Sequence, residues 1–319
     1  MDIEYLLLLQ NFREATHDFF SPFLMWISNF AVGFWPIAFA CMIYWAFDRR
    51  AGKRILAGFG AGVLANGLLK LIFRIPRPWL RDDRVLPYGD SKTSATGYSF
   101  PSGHSTFATG LFGGIGWWQR KRSRILAVVF FACMLLTLFS RNYLGVHTPQ
   151  DVIVGALSTV LMMFVAGKVE DWTDQNPRRD WFVMGTLLTI SGLLVLYYET
   201  IQIEPIYDAS GLLSVDPAKM KADSFEGIGF ISAFAVCRCL ERRLFDFDVK
   251  LSQRWRLSIG AIALVPLYLW CNYILEICIP LSRALGCFAT QFGIVVYTMI
   301  IVPLIMSKIR LPQRKVQQV

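Results

Sequence analysis

Residues 124–151 read RILAVVFFACMLLTLFSRNYLGVHTPQD, an apolar stretch that ends in a cluster of polar side chains. No charged residue lies between Arg124 and Arg141, and apolar and polar residues do not alternate along the run. This pattern favours a helix, and its length approaches the roughly 20 apolar residues that a membrane-spanning helix needs. Arg141, His147 and Asp151 then place charged and proton-transferring groups at the end of that helix. Because such groups are costly at membrane depth, they indicate a functional site.

The composition of the whole chain is typical of a membrane protein. Of its 319 residues, 55% are hydrophobic and only 17% are charged, whereas soluble domains carry about 25% charged residues. Since long apolar segments must be helical to satisfy their backbones in lipid, we predict an all-α, polytopic helical membrane protein with about nine transmembrane helices. The predicted spans are 21–47, 55–73, 101–119, 124–140, 151–168, 181–199, 224–240, 256–277 and 284–306.

We expect three parts along the chain. Residues 1–20 form an interfacial N-terminal helix, since their acidic start differs from the basic start of a secretory signal. Residues 21–170 form a catalytic transmembrane core that holds the polar segments. Residues 171–319 form additional C-terminal transmembrane helices, and no residue among them indicates their role. The seven cysteines lie mostly in apolar runs and show neither a disulfide nor a zinc spacing.

The net charge of +9 follows a pattern along the chain. No folded basic domain with interleaved aromatic residues is visible, so we expect no nucleic-acid partner. Lysine and arginine instead gather in every second connection and in the tail, and membrane proteins hold such loops in the cytoplasm. This predicts a cytoplasmic C-terminus and, for nine spans, an N-terminus outside. The basic connections are 49–54, 120–124, 178–179, 242–256 and 308–315.

The first polar segment contains Lys70 and Arg77-Pro78. Pro76 and Pro78 should end the preceding helix. A lysine point charge and a forked guanidinium can grip one phosphate from two directions. Taken alone, the pair is more typical of a lysine that extends towards the interface beside a juxtamembrane arginine, and the spacing from Lys70 to Arg77-Pro78 is what favours phosphate binding.

The second segment is Pro101-Ser102-Gly103-His104. Pro101 suits the first position of a helix, so we expect Ser102, Gly103 and His104 in its first turn. Free N–H groups at such a helix start bind anions, and Gly103 allows close backbone approach. The alternative is an ordinary helix start with an interfacial histidine.

The third segment carries the most chemistry. Thr148-Pro149-Gln150-Asp151 has the pattern of an N-cap followed by the first turn of a helix. Asp151 can accept a hydrogen bond from one nitrogen of His147 and leave the other as a nucleophile. The alternative role for Asp151 is the reciprocal capping box, and the two roles could coexist. Arg141 lies on the same side as His147, where a lone arginine would otherwise extend to the interface.

Together the three segments resemble the signature of the type 2 phosphatidic acid phosphatase superfamily. The resemblance covers about residues 55–160. The matching pattern is Lys70-x6-Arg77-Pro78, Pro101-Ser102-Gly103-His104 and Ser140-Arg141-x5-His147-x3-Asp151.

The resemblance implies a metal-independent phosphohydrolase that needs no cofactor. His147 would attack phosphorus with Asp151 orienting it, and His104 would protonate the leaving oxygen and then activate water. The implied phosphate-binding residues are Lys70, Arg77, Ser102, Gly103 and Arg141. Catalysis by positioning and charge stabilisation is physically sound for phosphoryl transfer.

The substrate class stays open at this point. We expect a membrane lipid as partner, with the active site on the extracytoplasmic side of the plasma (cytoplasmic) membrane. Candidates are phosphatidic acid, a phosphorylated sphingoid base, and a prenyl phosphate or diphosphate. Nine spans with an outside N-terminus are also similar to glucose-6-phosphatase, and transfer of phosphate to another acceptor would use the same histidines. The 79–100 loop either covers the site or is simply solvated, and the sequence does not indicate an oligomeric state.

Overall fold

The computed structural model of the chain describes residues 2–244 and 251–309, and 79% of them are helical. The prediction of a helical membrane protein is confirmed. The helices are α1 (Asp2–Ala15), α2 (Ser21–Val32), α3 (Phe34–Met42), α4 (Arg49–Phe73), α5 (Pro78–Arg81), α6 (Ser91–Ser94), α7 (Gly103–Ala108), α8 (Gly114–Gln119), α9 (Arg124–Tyr143), α10 (Pro149–Asp174), α11 (Arg179–Thr200), α12 (Pro217–Leu244), α13 (Gln253–Cys278), α14 (Arg283–Val296) and α15 (Val302–Lys308). Three π-helical segments follow α3, α7 and α14, at Ile43–Phe47, Thr109–Gly113 and Tyr297–Ile301. The strands β1 (Ile206–Tyr207) and β2 (Leu213–Val215) pair antiparallel.

Within the described ranges, six helices are long and apolar enough to cross a membrane, which makes the chain an integral membrane protein. A seventh span results if α2 and the helix from Phe34 to Phe47 count together, although they meet at a bend of 48°. The predicted spans 101–119 and 224–240 fall on α7–α8 and on α12, which are not among these helices. The number of nine and the sides of the two termini therefore stay predictions. Lys250 and the tail residues 310–315, which entered the charge argument, lie outside the described residues.

Helix α4 lies at the centre of the bundle because its glycines let two neighbours approach closely. A Cβ added to Gly58 would lie 2.6 Å from Cγ of Met163 in α10. A Cβ added to Gly60 would lie 2.2 Å from Cδ1 of Phe230 in α12. Small residues at helix contacts are how membrane helices pack tightly, since lipid supplies no hydrophobic drive between them. This packing fixes α4 and α10, which both carry polar segments.

A buried ion-pair network ties α12 to the same bundle. Nε of Arg238 lies 3.1 Å from Oδ1 of Asp180 in α11, and the guanidinium also pairs with Glu170 in α10. Lys53 of α4 approaches Oε2 of Glu170 at 3.5 Å. All four side chains are buried, so these charges of α12 face protein and not lipid.

The polar segments gather at one end of the bundle. Helices α4 and α9 end there, whereas α7 and α10 begin there. Arg74 closes α4 in the left-handed conformation, with φ of +51°, and its N–H donates to the carbonyl of Lys70 at 3.0 Å. The basic connection that begins α4 lies at the other end, where Arg50 pairs with Asp171 at 3.0 Å.

Candidate active site

His147 lies in the short turn between α9 and α10 and is 1% exposed. The turn is held by Asn142, whose side-chain amide donates to the carbonyl of His147 at 2.8 Å. Nε2 of His147 lies 2.9 Å from Nη1 of Arg77. Because a guanidinium can only donate hydrogen bonds, Nε2 holds the lone pair and Nδ1 holds the proton. Burial, reinforced by the charge of Arg77, lowers the pKa of His147 well below its usual value, which favours the neutral imidazole.

The proton on Nδ1 of His147 faces Asp151 and Ser99. Oδ2 of Asp151 is 3.5 Å from Nδ1, which is longer than a good N–H···O hydrogen bond. Oγ of Ser99 is nearer, at 3.3 Å from Nδ1, and it donates to Oδ2 of Asp151 at 2.6 Å. The orientation of His147 therefore depends on the hydroxyl of Ser99 as well as on the carboxylate.

Asp151 also caps α10, as the capping-box pattern predicted. Oδ2 accepts from the backbone N–H of Thr148 at 2.7 Å, and the backbone N–H of Asp151 donates to Oγ1 of Thr148 at 3.5 Å. The predicted N-cap at Thr148 is confirmed. The cap fixes the carboxylate against the backbone, which leaves it little freedom to turn away from His147.

Arg77 and Lys70 are both held by backbone carbonyls of the segment 96–98. Nε and Nη2 of Arg77 donate to the carbonyls of Gly97 at 2.9 Å and Thr96 at 3.2 Å. Nη1 also donates to the carbonyl of Val146 at 3.0 Å. Nζ of Lys70 donates to the carbonyl of Tyr98 at 2.9 Å. One stretch of loop thus positions two cations of the site, and it leaves Nη1 of Arg77 directed at Nε2 of His147.

Arg141 provides a third cation, which is buried in the last turn of α9. Nη1 donates to Oγ of Ser28 in α2 at 2.6 Å. Its Nε is buried and has no hydrogen-bond partner within the described residues. A buried charged group without a full set of partners costs free energy, so a phosphate oxygen that accepted from this nitrogen would satisfy it.

The helix that carries His104 begins at Gly103, two residues later than the sequence predicted. Pro101 is not the first helical residue, because Ser102 is the N-cap. Oγ of Ser102 accepts from the N–H of Ser105 at 3.3 Å as an N-cap. The hydroxyl of Ser102 accepts this bond and keeps its own O–H as a donor, and Gly103 carries the first backbone N–H of the helix.

His104 lies in the first turn of α7 and is partly buried. Its strongest electrostatic neighbours are Arg141, then His147, Arg77 and Lys70. The N–H of Ser102, just before this turn, donates to the carbonyl of Asp151 at 2.9 Å and joins α7 to α10. The structure thus brings the residues of all three segments together.

Two polar residues of this region were missed by the sequence analysis. Ser99 lies just before the second segment, and no local sequence pattern singles it out. Nδ2 of Asn66 donates to Oγ1 of Thr106 at 3.0 Å and to the carbonyl of Pro101 at 3.3 Å. The only sequence signal for Asn66 is that it is a polar residue inside the apolar second predicted span.

The C-terminal half supports the loop that holds Arg77 and Lys70. The N–H of Gly97 donates to the carbonyl of Ser214 in β2 at 2.7 Å, and Nζ of Lys219 donates to Oγ1 of Thr96. Lys92 of α6 pairs with Asp208 at 2.7 Å, a hydrogen bond that lowers the pKa of Asp208. Much of the 79–100 loop is therefore packed against protein and is not simply solvated.

Metal-ligating side chains do not define this site. Within residues 2–244 and 251–309, no three His, Cys, Asp or Glu side chains come together in a way that could hold a metal ion. The positive charge of the site belongs to Lys70, Arg77 and Arg141. An anion with several oxygens, such as a phosphate, is the ligand that this donor set suits.

Comparison with known proteins adds to the geometry. The family model of the PAP2 superfamily matches residues 51–173. Undecaprenyl-diphosphatase BcrC of Bacillus subtilis (strain 168) is 28% identical over 156 residues, which cover 46% of this chain and 74% of the relative. Phosphatidylglycerophosphatase B of Haemophilus influenzae is 43% identical over 68 residues, which cover 19% of this chain and 28% of the relative. No solved structure matches the chain with statistical significance. The segment 51–173, which carries all three polar segments, belongs to the PAP2 superfamily.

Proposed function

We propose that the chain is a membrane phosphatase that hydrolyses a phosphomonoester or diphosphate of a lipid through a phosphohistidine. The observation that carries this proposal is the contact of 2.9 Å between Nη1 of Arg77 and Nε2 of His147. A guanidinium donor at this position requires a lone pair on Nε2. It also puts a phosphate-binding cation beside the atom that would attack.

The first step transfers the phosphoryl group to His147. The phosphate takes the place of the imidazole as acceptor from Nη1 of Arg77, while Lys70 and Arg141 bind its other non-bridging oxygens. Nε2 of His147 forms a bond to phosphorus as the bond to the leaving oxygen breaks. His104 gives its proton to that oxygen. The Nδ1 proton stays on the ring and faces Ser99 and Asp151, which stabilise the positive charge that develops on the imidazole.

The second step hydrolyses the phosphohistidine. His104, now neutral, takes a proton from a water molecule that attacks phosphorus, and the bond between phosphorus and Nε2 breaks. Free N–H groups at the start of α7, including that of Gly103, stabilise the negative charge on the transferred group. Lys70, Arg77 and Arg141 supply the charge that a metal ion supplies in other phosphatases, so we propose that turnover is independent of metals.

Two features support a lipid as the substrate. The chain has at least six apolar helices that suit a bilayer, and the site lies at the ends of three of them, where a headgroup would reach it. The names of the two relatives describe enzymes of a prenyl diphosphate and of a glycerophospholipid phosphate. The positive-inside distribution supports a site on the extracytoplasmic face of the plasma membrane.

The experiment is phosphate release by the purified protein from a panel of substrates, with and without EDTA. The panel contains undecaprenyl diphosphate, phosphatidylglycerophosphate, phosphatidic acid, sphingosine phosphate and glucose-6-phosphate. We expect release from one lipid, unaffected by EDTA and abolished by His147→Ala. Release only from the sugar phosphate would replace the lipid by a soluble substrate. Activity that EDTA removes, or a fully active His147→Ala variant, would refute the mechanism.

A further inference from the structure

A cavity of 720 Å³ lies at the end of the bundle opposite to the candidate active site. Its walls come from α4, α8, α9 and α10. Arg54 lines it, and this residue precedes Lys70 by sixteen positions along α4, a separation of about 24 Å in a helix. The cavity is therefore a separate space from the phosphate-binding site, and its volume lies within the range of small-ligand sites.

The mouth of this cavity carries a surplus of positive charge. Two acidic residues, Asp48 and Asp171, line the cavity together with six basic ones. Asp171 pairs with two of the basic residues and Asp48 with a third. Lys121 and Lys168 make no ion pair with any described residue. The six basic residues are Arg50, Arg54, Arg120, Lys121, Arg122 and Lys168.

The deeper walls of the cavity are apolar. They include Phe131 and Met134 of α9 and Met163 of α10. Along α10 the lining extends from Asp171 to Val160, which corresponds to about 16 Å of helix. That depth is close to half of the roughly 30 Å hydrocarbon thickness of a bilayer. A cationic mouth above an apolar shaft one leaflet deep suits an amphiphile with an anionic head.

We propose that this cavity binds one anionic phospholipid from the leaflet on the basic-loop side. Its headgroup phosphate lies at Lys121 and Lys168, and one acyl chain extends between α9 and α10. Arg120 lies over the ring of Trp117, 3.6 Å from its centroid, and is held at the mouth without neutralisation. Basic pockets between transmembrane helices recognise lipid headgroups by such charge. The proposal does not depend on the reaction at His147.

Gly167 offers a way to fill the cavity without changing its charge. It lines the cavity, and a Cβ placed on it meets nothing within 4 Å. Gly192 in α11 is equally open and lies outside the lining. Gly167→Phe should therefore obstruct the acyl-chain shaft, while Gly192→Phe is its matched control.

The test is native mass spectrometry of the full chain in the His147→Ala background, which prevents turnover. The detergent-purified protein is mixed with equal amounts of phosphatidylglycerol and phosphatidylcholine of the same chain length. We expect selective retention of one phosphatidylglycerol. Replacing Lys121 and Lys168 by Gln should weaken this retention about 25-fold, since each surface cation contributes about fivefold.

The controls separate this site from general charge. Arg178→Gln combined with Arg254→Gln removes two cations outside the cavity and should keep the selectivity, as should Gly192→Phe. Gly167→Phe should lose the bound lipid. Equal retention of the two lipids by the unmodified cavity would overturn the proposal. Unchanged retention in both the Gly167→Phe and the double-lysine variants would also overturn it, and each of these variants is an independent test if the other fails to fold.

Discussion

Ser99→Ala is the change that tests most sharply how His147 is oriented. The hydroxyl donates to Oδ2 of Asp151 at 2.6 Å and lies 3.3 Å from Nδ1 of His147. The substitution removes a hydrogen bond to a charged group, and such a bond contributes about 1.5–3 kcal/mol. If that stabilisation is needed mainly when positive charge develops on the imidazole, kcat should fall about 10- to 150-fold. KM should change little, because Ser99 is a positioning residue that does not bind the phosphate in this account.

The assay measures kcat and KM for the best substrate of the panel, beside Ser105→Ala. Ser105 is also fully buried, and its hydroxyl makes no hydrogen bond with the described residues, so its loss should leave kcat unchanged. In the Asp151→Asn background, Ser99→Ala should lower kcat by a much smaller factor than in the wild type, because the two residues act as a unit. Three results would contradict this role of Ser99: Ser99→Ala has the same kcat as Ser105→Ala, Ser99→Ala changes KM alone, or Ser99→Ala lowers kcat by the same factor in the wild type and in the Asp151→Asn variant.

Three further predictions follow from the same geometry. Arg77→Lys keeps the charge but not the planar fork of the guanidinium, so kcat/KM should fall about 100- to 1000-fold. The control is Arg74→Lys, which changes an exposed side chain and should keep kcat/KM near the wild-type value in the same assay. Burial and Arg77 lower the pKa of His147, so at about pH 6.5 the ring should still be neutral with its proton on Nδ1, and nucleophilic activity should disappear only as the pH falls further. The ¹⁵N chemical shifts of the imidazole measure this, and loss of the signal in His147→Asn assigns them. A protonated ring at that pH would contradict the prediction. Arg238→Met leaves the buried carboxylates of Glu170 and Asp180 with only the longer contacts to Lys53 at 3.5 Å and Arg242 at 3.4 Å. This should destabilise the protein by about 3–5 kcal/mol and lower its midpoint of thermal unfolding in detergent, whereas an unchanged midpoint would show that the network contributes nothing.

Local sequence patterns predicted the helices and the capped start of α10 well. The apolar run before Arg141 and the Thr148-Pro149 start each depend on neighbours in the chain, so the residues themselves specify them. The convergence of the three segments was also predictable, since they lie where the second and fourth predicted spans end and the third and fifth begin, which is one side of the membrane. The sequence does not specify whether the carboxylate of Asp151 contacts Thr148, His147 or both, because this depends on the rotation of its side chain.

Other features depend on contacts between distant segments and could not be read from the sequence. Ser99 has no helical periodicity to reveal it, and its hydroxyl matters only because the loop brings it to Asp151. The burial of the charged residues of α12 is a second example. Its charges suggest a poor membrane span, but Arg238 is buried against Asp180 and Glu170, and no hydropathy pattern can show which partner a charge will meet.

The central claim is that His147 carries the phosphoryl group, and trapping that intermediate tests it most directly. His104→Gln removes the group that activates water, whereas an aryl phosphate with a good leaving group needs no acid for the first step. This variant should release one equivalent of phenol per protein and hold the phosphate on His147, located by mass spectrometry after alkaline denaturation. The His147→Ala variant should show neither the burst nor the label. Continued hydrolysis by the His104→Gln variant without a label, or a label on any other residue, would contradict the account.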